Sequence, residues 1–489
     1  MTVVQVLRKR VRTARPTYDV SSPLYLLSKL DSQQWKFLCL GFWAWTWDAF
    51  DYFSITLVMP HLQQLFDRSN SDIALALSLS LMPRFVGAAI FGIAADRFGR
   101  KWPLIINCLL LIVLELAIAF CQTYKEFLAC RILFGVAMGG LYGNASATAL
   151  EDCPDISRGI ISGIFQAGYP MGLLLATAFN ALLVNSTVQN WRALFYFAAG
   201  PPALLIIFRL FLPDTTAYIE HDAIRSRRNV QSFTSEFVDV IRMHWGRLSY
   251  MIIFMMGCTY LSHGSQDILQ TMLRYNHALS STKITTIQTV GFLGSLFGSL
   301  TMGFISDIIG RRFSIILSCF VAGALVYPYF YLSYLPGLLP VVFAEQFFVQ
   351  GIFGIVPVHL IELSPYAFRT FVVGTSYNLG VLFASPVPYV ETIIGEGRPL
   401  PSLNGNGNSG SDQRFDYSWG MAIVFGCAVV FTMVVTFLGP ENKGGSINDE
   451  DDDGSVYQAP FSMVSPVVNG NANGNRNGRV WDGESWSDR

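Results

Sequence analysis

Long apolar runs, each close to the length a bilayer demands, alternate along the chain with short polar connections. A hydrocarbon core of about 30 Å takes roughly 20 residues of helix. On that measure the runs at 35–59, 73–95, 103–122, 126–149, 159–183, 191–212, 248–271, 286–306, 313–334, 337–361, 368–390 and 417–438 predict twelve crossing helices. They fall into two blocks of six around a longer polar gap that holds His221, Asp222, Arg225, Arg227 and Arg228. The predicted fold class is an all-α membrane protein with twelve transmembrane helices in two six-helix repeats. Its expected parts are an N-terminal segment 1–34, a first half 35–212, a linker 213–247, a second half 248–440 and a tail 441–489.

Composition narrows the picture further. Of the 489 residues, 52% are hydrophobic and only 14% charged, against about 25% charged in ordinary globular proteins. Mean hydropathy is +0.41. So few charges do not cover the surface of a soluble protein of this length. The net charge of −1 offers no broad basic face for nucleic acid. The eight cysteines have no metal-ligand spacing, so neither a metal nor a cofactor is expected. No P-loop, H-E-x-x-H or G-x-S-x-G is present, which argues against an enzyme and against ATP-driven transport. The polar, basic first 34 residues precede any apolar run, so no cleavable signal peptide is expected.

Loop charges orient the set. Arg97, Arg100, Lys101, Arg158, Arg225, Arg227, Arg228, Arg242, Arg247, Arg311, Arg312 and Arg369 fall in one series of connections, and the alternate series is poorer in Lys and Arg. The positive-inside rule then places both termini in the cytoplasm. The loop 392–416 is expected to be flexible, the acidic, Asn/Gly-rich tail to be disordered, and the outward sequon at Asn185 to be glycosylated.

The two halves repeat at a constant offset. Gly92-Ile-Ala-Ala-Asp96-Arg97-Phe-Gly99-Arg100-Lys101 follows the second run, and Gly303-Phe-Ile-Ser-Asp307-Ile-Ile-Gly310-Arg311-Arg312 follows the eighth. The same spacing pairs Gly140 with Gly351, Gly143 with Gly354, Glu151 with Glu362, Pro154 with Pro365, Arg158 with Arg369 and Gly163 with Gly374. Parallel repeats of this size enclose a cavity between two halves that can rock. The pattern G-x-x-x-D-R-x-G-R-K resembles the signature loop of the major facilitator superfamily, and Arg131-x-x-x-Gly135-x-x-x-Gly139 resembles another of its motifs. The Asp and the basic residues of the two loops are expected to latch one conformation. Gly92, Asp96, Arg97, Gly99, Arg100, Lys101, Asp307, Gly310 and Arg311 are the candidates, against a purely topogenic role for the basic charge.

Ionisable groups at bilayer depth are costly, so each is a functional candidate. The seventh run carries Thr259, His263, Gln266, Asp267, Gln270 and Thr271 at helical spacing, a stripe that lipid would not tolerate. His263 and Asp267, four apart, can share a proton. Arg84 lies mid-run, where its fork suits a carboxylate, or a standing salt bridge to Asp48, Asp51 or Glu115. Asp48 and Asp51 share one face of the first run, and Tyr377 and Asn378 can hydrogen-bond an anion.

Ser262, His263, Ser265, Gln266, Asp267 and Thr271 match a signature of the fungal Jen-type monocarboxylate/proton symporters, with Thr259 where that signature has Asn. The resemblance covers roughly residues 35–445. It implies proton-coupled symport of a small organic carboxylate by a monomeric multi-pass carrier of the plasma membrane. Its partners would be the anion, the proton and the lipid bilayer. The assigned site residues are Arg84, Gln266, Tyr377 and Asn378 for substrate, and His263, Asp267, Asp48 and Asp51 for the proton. A sugar or polyol porter stays open, since Leu212-Pro-Asp-Thr and Gly439-Pro-Glu-Asn-Lys-Gly resemble terminal motifs of sugar porters. So do an exporter of an acidic metabolite (Pro170 lies in an antiporter-like stretch, Gly163–Gly172) and a nontransporting receptor that signals through its tail.

Overall fold

The computed structural model describes residues 22–68, 78–184, 190–227, 233–401 and 414–442. Asn185, the far N-terminal basic residues, the tip of the 392–416 loop and nearly all of the tail lie outside the described residues.

Twelve helical crossings are present among the described residues. The first six are Ser32–Phe66, Ser78–Phe98, Lys101–Phe120, Tyr124–Leu150, Arg158–Leu183, and Arg192–Ala198 joined to Gly200–Leu210. The seventh is Phe233–Gln266 continued by Leu269–Tyr275, and the eighth to tenth are Ser281–Ile309, Arg311–Tyr331 and Leu335–Leu363. The eleventh is Arg369–Ala384 continued by Val387–Glu396, and the twelfth is Tyr417–Leu438. Ten of them meet the length and apolarity expected of a membrane span. The other two are spans one and seven, which carry Asp48, Asp51, His263 and Asp267.

Local signals explain the boundaries. Span one opens on a capping box, with Asp31 accepting from Gln34 N–H at 2.7 Å and the Gln34 side chain accepting from Asp31 N–H at 3.0 Å. Thr123 and Glu126 do the same for span four. The turns between spans two and three and between spans eight and nine need a left-handed residue, supplied by Gly99 (φ 89°) and Gly310 (φ 95°). Span eleven breaks at Ser385–Pro386 and span seven at Asp267–Ile268.

Three segments hold more regular structure than their sequence specifies. Span seven begins at Phe233, well before position 248, because Phe233 and Phe237 pack their rings on Phe368 at 5.3 and 5.2 Å. The linker is also partly helical, at Thr216–Arg227, with the Asp152 carboxylate accepting the Thr216 and Ala217 N–H groups at 2.8 and 3.0 Å. Finally, helix persists to Glu396 in the loop 392–416, and Pro399–Leu400 pairs antiparallel with Arg414–Phe415.

The first half packs span one on spans five and four, and span two on span four; the second packs span eight on span ten, and spans nine and seven on span twelve. Spans two and four of the first half meet span eleven of the second, and span five meets spans eight and ten. The loops after spans two and eight lie at the same end of the bundle, referred to below as the basic end.

Candidate functional site

Glycine places the central cation. A Cβ on Gly135 would fall 2.1 Å from the Ser80 carbonyl oxygen, and one on Gly139 would fall 1.8 Å from that of Arg84. Only a bare backbone at these two positions of span four lets span two come so close. Arg131, four residues before Gly135, donates from Nε to Ser80 Oγ at 3.1 Å. Span two restarts at Arg84 after the turn at Pro83, and Arg84 is only 5% exposed. Its NH2 donates to Asp48 Oδ2 at 2.9 Å and its Nε to Asn378 Oδ1 at 3.2 Å. Asn378 in turn donates to the carbonyls of Gly139 at 3.2 Å and Gly374 at 2.9 Å. One guanidinium therefore ties spans one and two of the first half to span eleven of the second.

Of the acidic candidates for Arg84, Asp48 is the one that reaches it, and Asp48 Oδ1 has no partner. Asp51 is fully buried with neither oxygen hydrogen-bonded, in the field of Glu115, Asp48 and Arg131. Tyr377 stacks on Tyr142 across the halves with ring centroids 3.8 Å apart, and Trp45 meets both rings edge-on.

In span seven, His263 Nδ1–H donates to Asp267 Oδ2 at 2.8 Å, and the two side chains are 13% and 22% exposed. Arg84 acts electrostatically on His263, and Tyr52 and Tyr169 lie in the fields of both Arg84 and Asp267. The rest of the stripe turns inward. Gln266 donates to Gln346 Oε1 at 2.6 Å, and Gln350 donates to Ser262 Oγ at 2.9 Å. Thr259 donates to the Gly380 carbonyl at 2.9 Å, and so faces span eleven. The break at Asp267–Ile268 takes Gln270 and Thr271 off the expected helical register, and Gln270 bonds Gln288 on span eight at 2.8 Å.

At the basic end the repeat becomes a two-fold set of locks. Asp96 accepts from the N–H groups of Thr370 and Phe371 at 3.2 and 2.8 Å, and Asp307 from those of Gly159 and Ile160, both at 3.0 Å. Each carboxylate thus sits on the positive N-terminus of a helix in the opposite half. Arg100 pairs with Asp96 at 3.2 Å and Glu151 at 2.8 Å, and Arg311 with Asp307 at 2.6 Å and Glu362 at 3.0 Å. A Cβ on Gly92 would lie 2.6 Å from Phe371 Cα, and one on Gly303 would lie 2.6 Å from the Gly159 carbonyl oxygen.

The terminal motifs close the loops, with Asp214 accepting from Arg100 N–H at 2.9 Å and Glu441 from Arg311 N–H at 2.8 Å. Lys101 caps the end of span six through the carbonyls of Leu210 and Leu212 at 2.8 and 3.0 Å. Arg97 stands outside the locks, over the Phe98 and Phe233 rings. Beside them, burial pushes the Asp152 carboxyl above the ordinary carboxylate range, against the N–H groups of Ala217 and Thr216.

Residues 31–239 match the sugar (and other) transporter family. The structure resembles that of the proton:xylose symporter XylE from E. coli bound to 6-bromo-6-deoxy-D-glucose, with a TM-score of 0.66 at 17% identity, over 85% of this chain and 98% of that one. The sequence is 34% identical to a carboxylic acid transporter protein homologue of Saccharomyces cerevisiae, over 87% of this chain and 71% of the relative. The chain belongs to the major facilitator superfamily. A cis,cis-muconate transport protein of Acinetobacter baylyi is 24% identical over 76% of this chain and 90% of its own.

As a facilitator, the protein is a multi-pass membrane transporter and not an enzyme. The structure brings Arg84, Asp48 and Asn378 together, and His263 with Asp267. It directs Gln266 into a network within the second half and leaves Asp51 apart. Glu151, Glu362, Asp214 and Glu441 were missed as members of the locks, although the constant offset already paired Glu151 with Glu362.

Proposed function

We propose that the protein is a proton-coupled symporter of a small organic carboxylate that works by alternating access in the plasma membrane, with the basic end and both termini cytoplasmic. The observation that carries this reading is the buried guanidinium of Arg84, shared between Asp48 and an amide of the opposite half, with the His263–Asp267 pair across the centre. An anion and Asp48 compete for the same fork. Protonating Asp48 removes its charge and releases the fork to a substrate carboxylate, so that the proton and the anion enter the centre together. Asn378 holds the fork in place meanwhile, and the Tyr377 and Tyr142 rings flank it. The His263–Asp267 pair is a second proton acceptor, to which the proton passes when the anion leaves and Asp48 takes back the fork. The basic-end locks then break as the halves rock.

The aromatic walls and the terminal motifs fit a sugar porter as well, but a neutral sugar leaves no task for an arginine opposite a His–Asp pair. The test is uptake of labelled pyruvate, lactate, acetate and succinate after an acid pulse, with xylose and glucose alongside. Accumulation of an acid that collapses when the proton gradient is abolished is expected. Sugar uptake insensitive to the gradient, with no acid uptake, overturns the reading.

A further inference from the structure

Two carboxyls of the second half lie outside the machinery described so far. Glu391, on the outer piece of span eleven, and Glu345, on span ten, are both fully buried, and none of their carboxyl oxygens has a hydrogen-bond partner. A buried carboxyl with no donor aimed at it is held far more easily as the neutral acid than as the anion.

Glu391 occupies a niche that two glycines make. A Cβ on Gly420 of span twelve would fall 2.4 Å from the Glu391 carbonyl oxygen, so the missing side chain lets the two backbones touch. A Cβ on Gly264 of span seven would lie 3.3 Å from Glu391 Oε1, so the carboxyl itself points at the span-seven backbone. Gly264 directly follows His263 and lies within one helical turn of Asp267, and Glu391 feels the Asp267 charge. Tyr329 of span nine feels both Glu345 and Glu391. Its hydroxyl donates to the Ser265 carbonyl at 2.8 Å and accepts from Gln346 at 3.0 Å. The titratable groups tied to Glu391 are thus Asp267 on span seven, itself bonded to His263, and Tyr329 on span nine, which Glu345 on span ten also reaches.

We propose that Glu391 is a proton-binding site that exchanges its proton with the His263–Asp267 pair from the side of the bundle away from the basic end. In the transfer the Glu391 O–H breaks, an O–H forms on the Asp267 carboxylate, and the negative charge passes to Glu391. Uptake of one proton from that side restores the neutral acid. The inference rests on the proton-coupled reading above, and its first test does not depend on transport.

Infrared spectra of the full-length reconstituted wild type and variants are recorded at the same neutral pH and subtracted from one another. The wild type is expected to carry the carbonyl band of a protonated carboxylic acid, Glu391→Gln to lack it, and Gly264→Ala to shift it without removing it, since the added methyl touches Oε1. In proteoliposomes Glu391→Gln is expected to keep exchange of a labelled carboxylate at equal pH within about twofold, and to lose gradient-driven accumulation by about tenfold or more. Glu391→Asp restores part of it. A Glu391-dependent band in a protein that moves no carboxylate supports the proton site and removes only the symport reading. No such band, or accumulation by Glu391→Gln equal to wild type, overturns the proposal.

Discussion

Asp48 holds Arg84 through one oxygen at 2.9 Å while its second oxygen has no partner. A buried pair of this kind is a weak source of stability, because desolvation offsets most of the Coulomb gain. Its geometry instead leaves Arg84 exchangeable, with one donor on an acidic partner and one on the neutral oxygen of Asn378.

Replacing Arg84 therefore separates charge from fork. Arg84→Ala is expected to lower carboxylate uptake by about 100-fold, the loss of a charge-assisted bond worth about 3 kcal/mol. Arg84→Lys keeps the charge but is expected to recover only a minor part, since an ammonium cannot serve Asp48 and Asn378 with the same planar geometry. Initial uptake rates, normalised to surface abundance, check both. Full uptake by Arg84→Ala at normal abundance removes the anion-pairing role.

Asp48→Asn leaves a neutral partner beside Arg84, as protonation would. The expected outcome is carboxylate exchange at equal pH close to wild type, with accumulation no longer following the proton gradient. His263→Ala tests the opposite wall. It removes the donor at 2.8 Å from Asp267, and is expected to change the pH profile of uptake more than the apparent affinity for the acid. Substrate-driven proton flux in proteoliposomes is the measurement. Unchanged flux in both variants removes the proton role of these residues.

The twelve crossings are legible in the sequence because apolar runs of bilayer length admit few other readings, and the constant offset makes the two-fold plan legible too. The gaps have physical causes. The break at Asp267–Ile268 contains no Gly or Pro, so helical spacing carries Gln270 and Thr271 onto a stripe they do not share. Asp96 and Asp307 are recognisable as lock residues, but their acceptance of N–H groups at Phe371 and Ile160 is a contact between halves that no local pattern reveals. Glu345 lies inside the predicted tenth run, so the cost of an ionisable group at bilayer depth marks it already; Glu391 falls one residue beyond the predicted eleventh run, and burial without a partner is what marks it.

The two locks are equivalent by geometry, so they should be equivalent by energy. Asp96→Asn and Asp307→Asn each replace an ionised acceptor of two N–H groups, and each is expected to cost the basic-end-closed state about 1–2 kcal/mol. Hydrogen–deuterium exchange should accelerate at Thr370 and Phe371 in the first variant and at Gly159 and Ile160 in the second. The double variant should exceed the sum at neither site, since the locks share no residue. Exchange unchanged in both single variants shows that the helix N-termini are held by something else.

Glycines at the inter-half contacts give the sharpest steric test. A Cβ on Gly143 would lie 2.6 Å from the Thr370 carbonyl oxygen and 2.9 Å from Gly374 Cα, and one on Gly163 would lie 2.6 Å from the Ser299 carbonyl oxygen. All of these neighbours are backbone, which cannot turn aside as a side chain can. Gly143→Val and Gly163→Val are therefore expected to reach the membrane, to leave the basic end open, and to lose net transport by about 100-fold, because closure there is one of the two states the cycle requires. Gly426, where an added Cβ would meet nothing within 4 Å, provides the control, and Gly426→Ala should transport as wild type. Faster amide exchange at residues 159–160 and 370–371 in the valine variants, with the alanine control unchanged, would tie the lost transport to the open basic end. Wild-type transport by either valine variant would show that the halves need not meet as closely as this conformation has them.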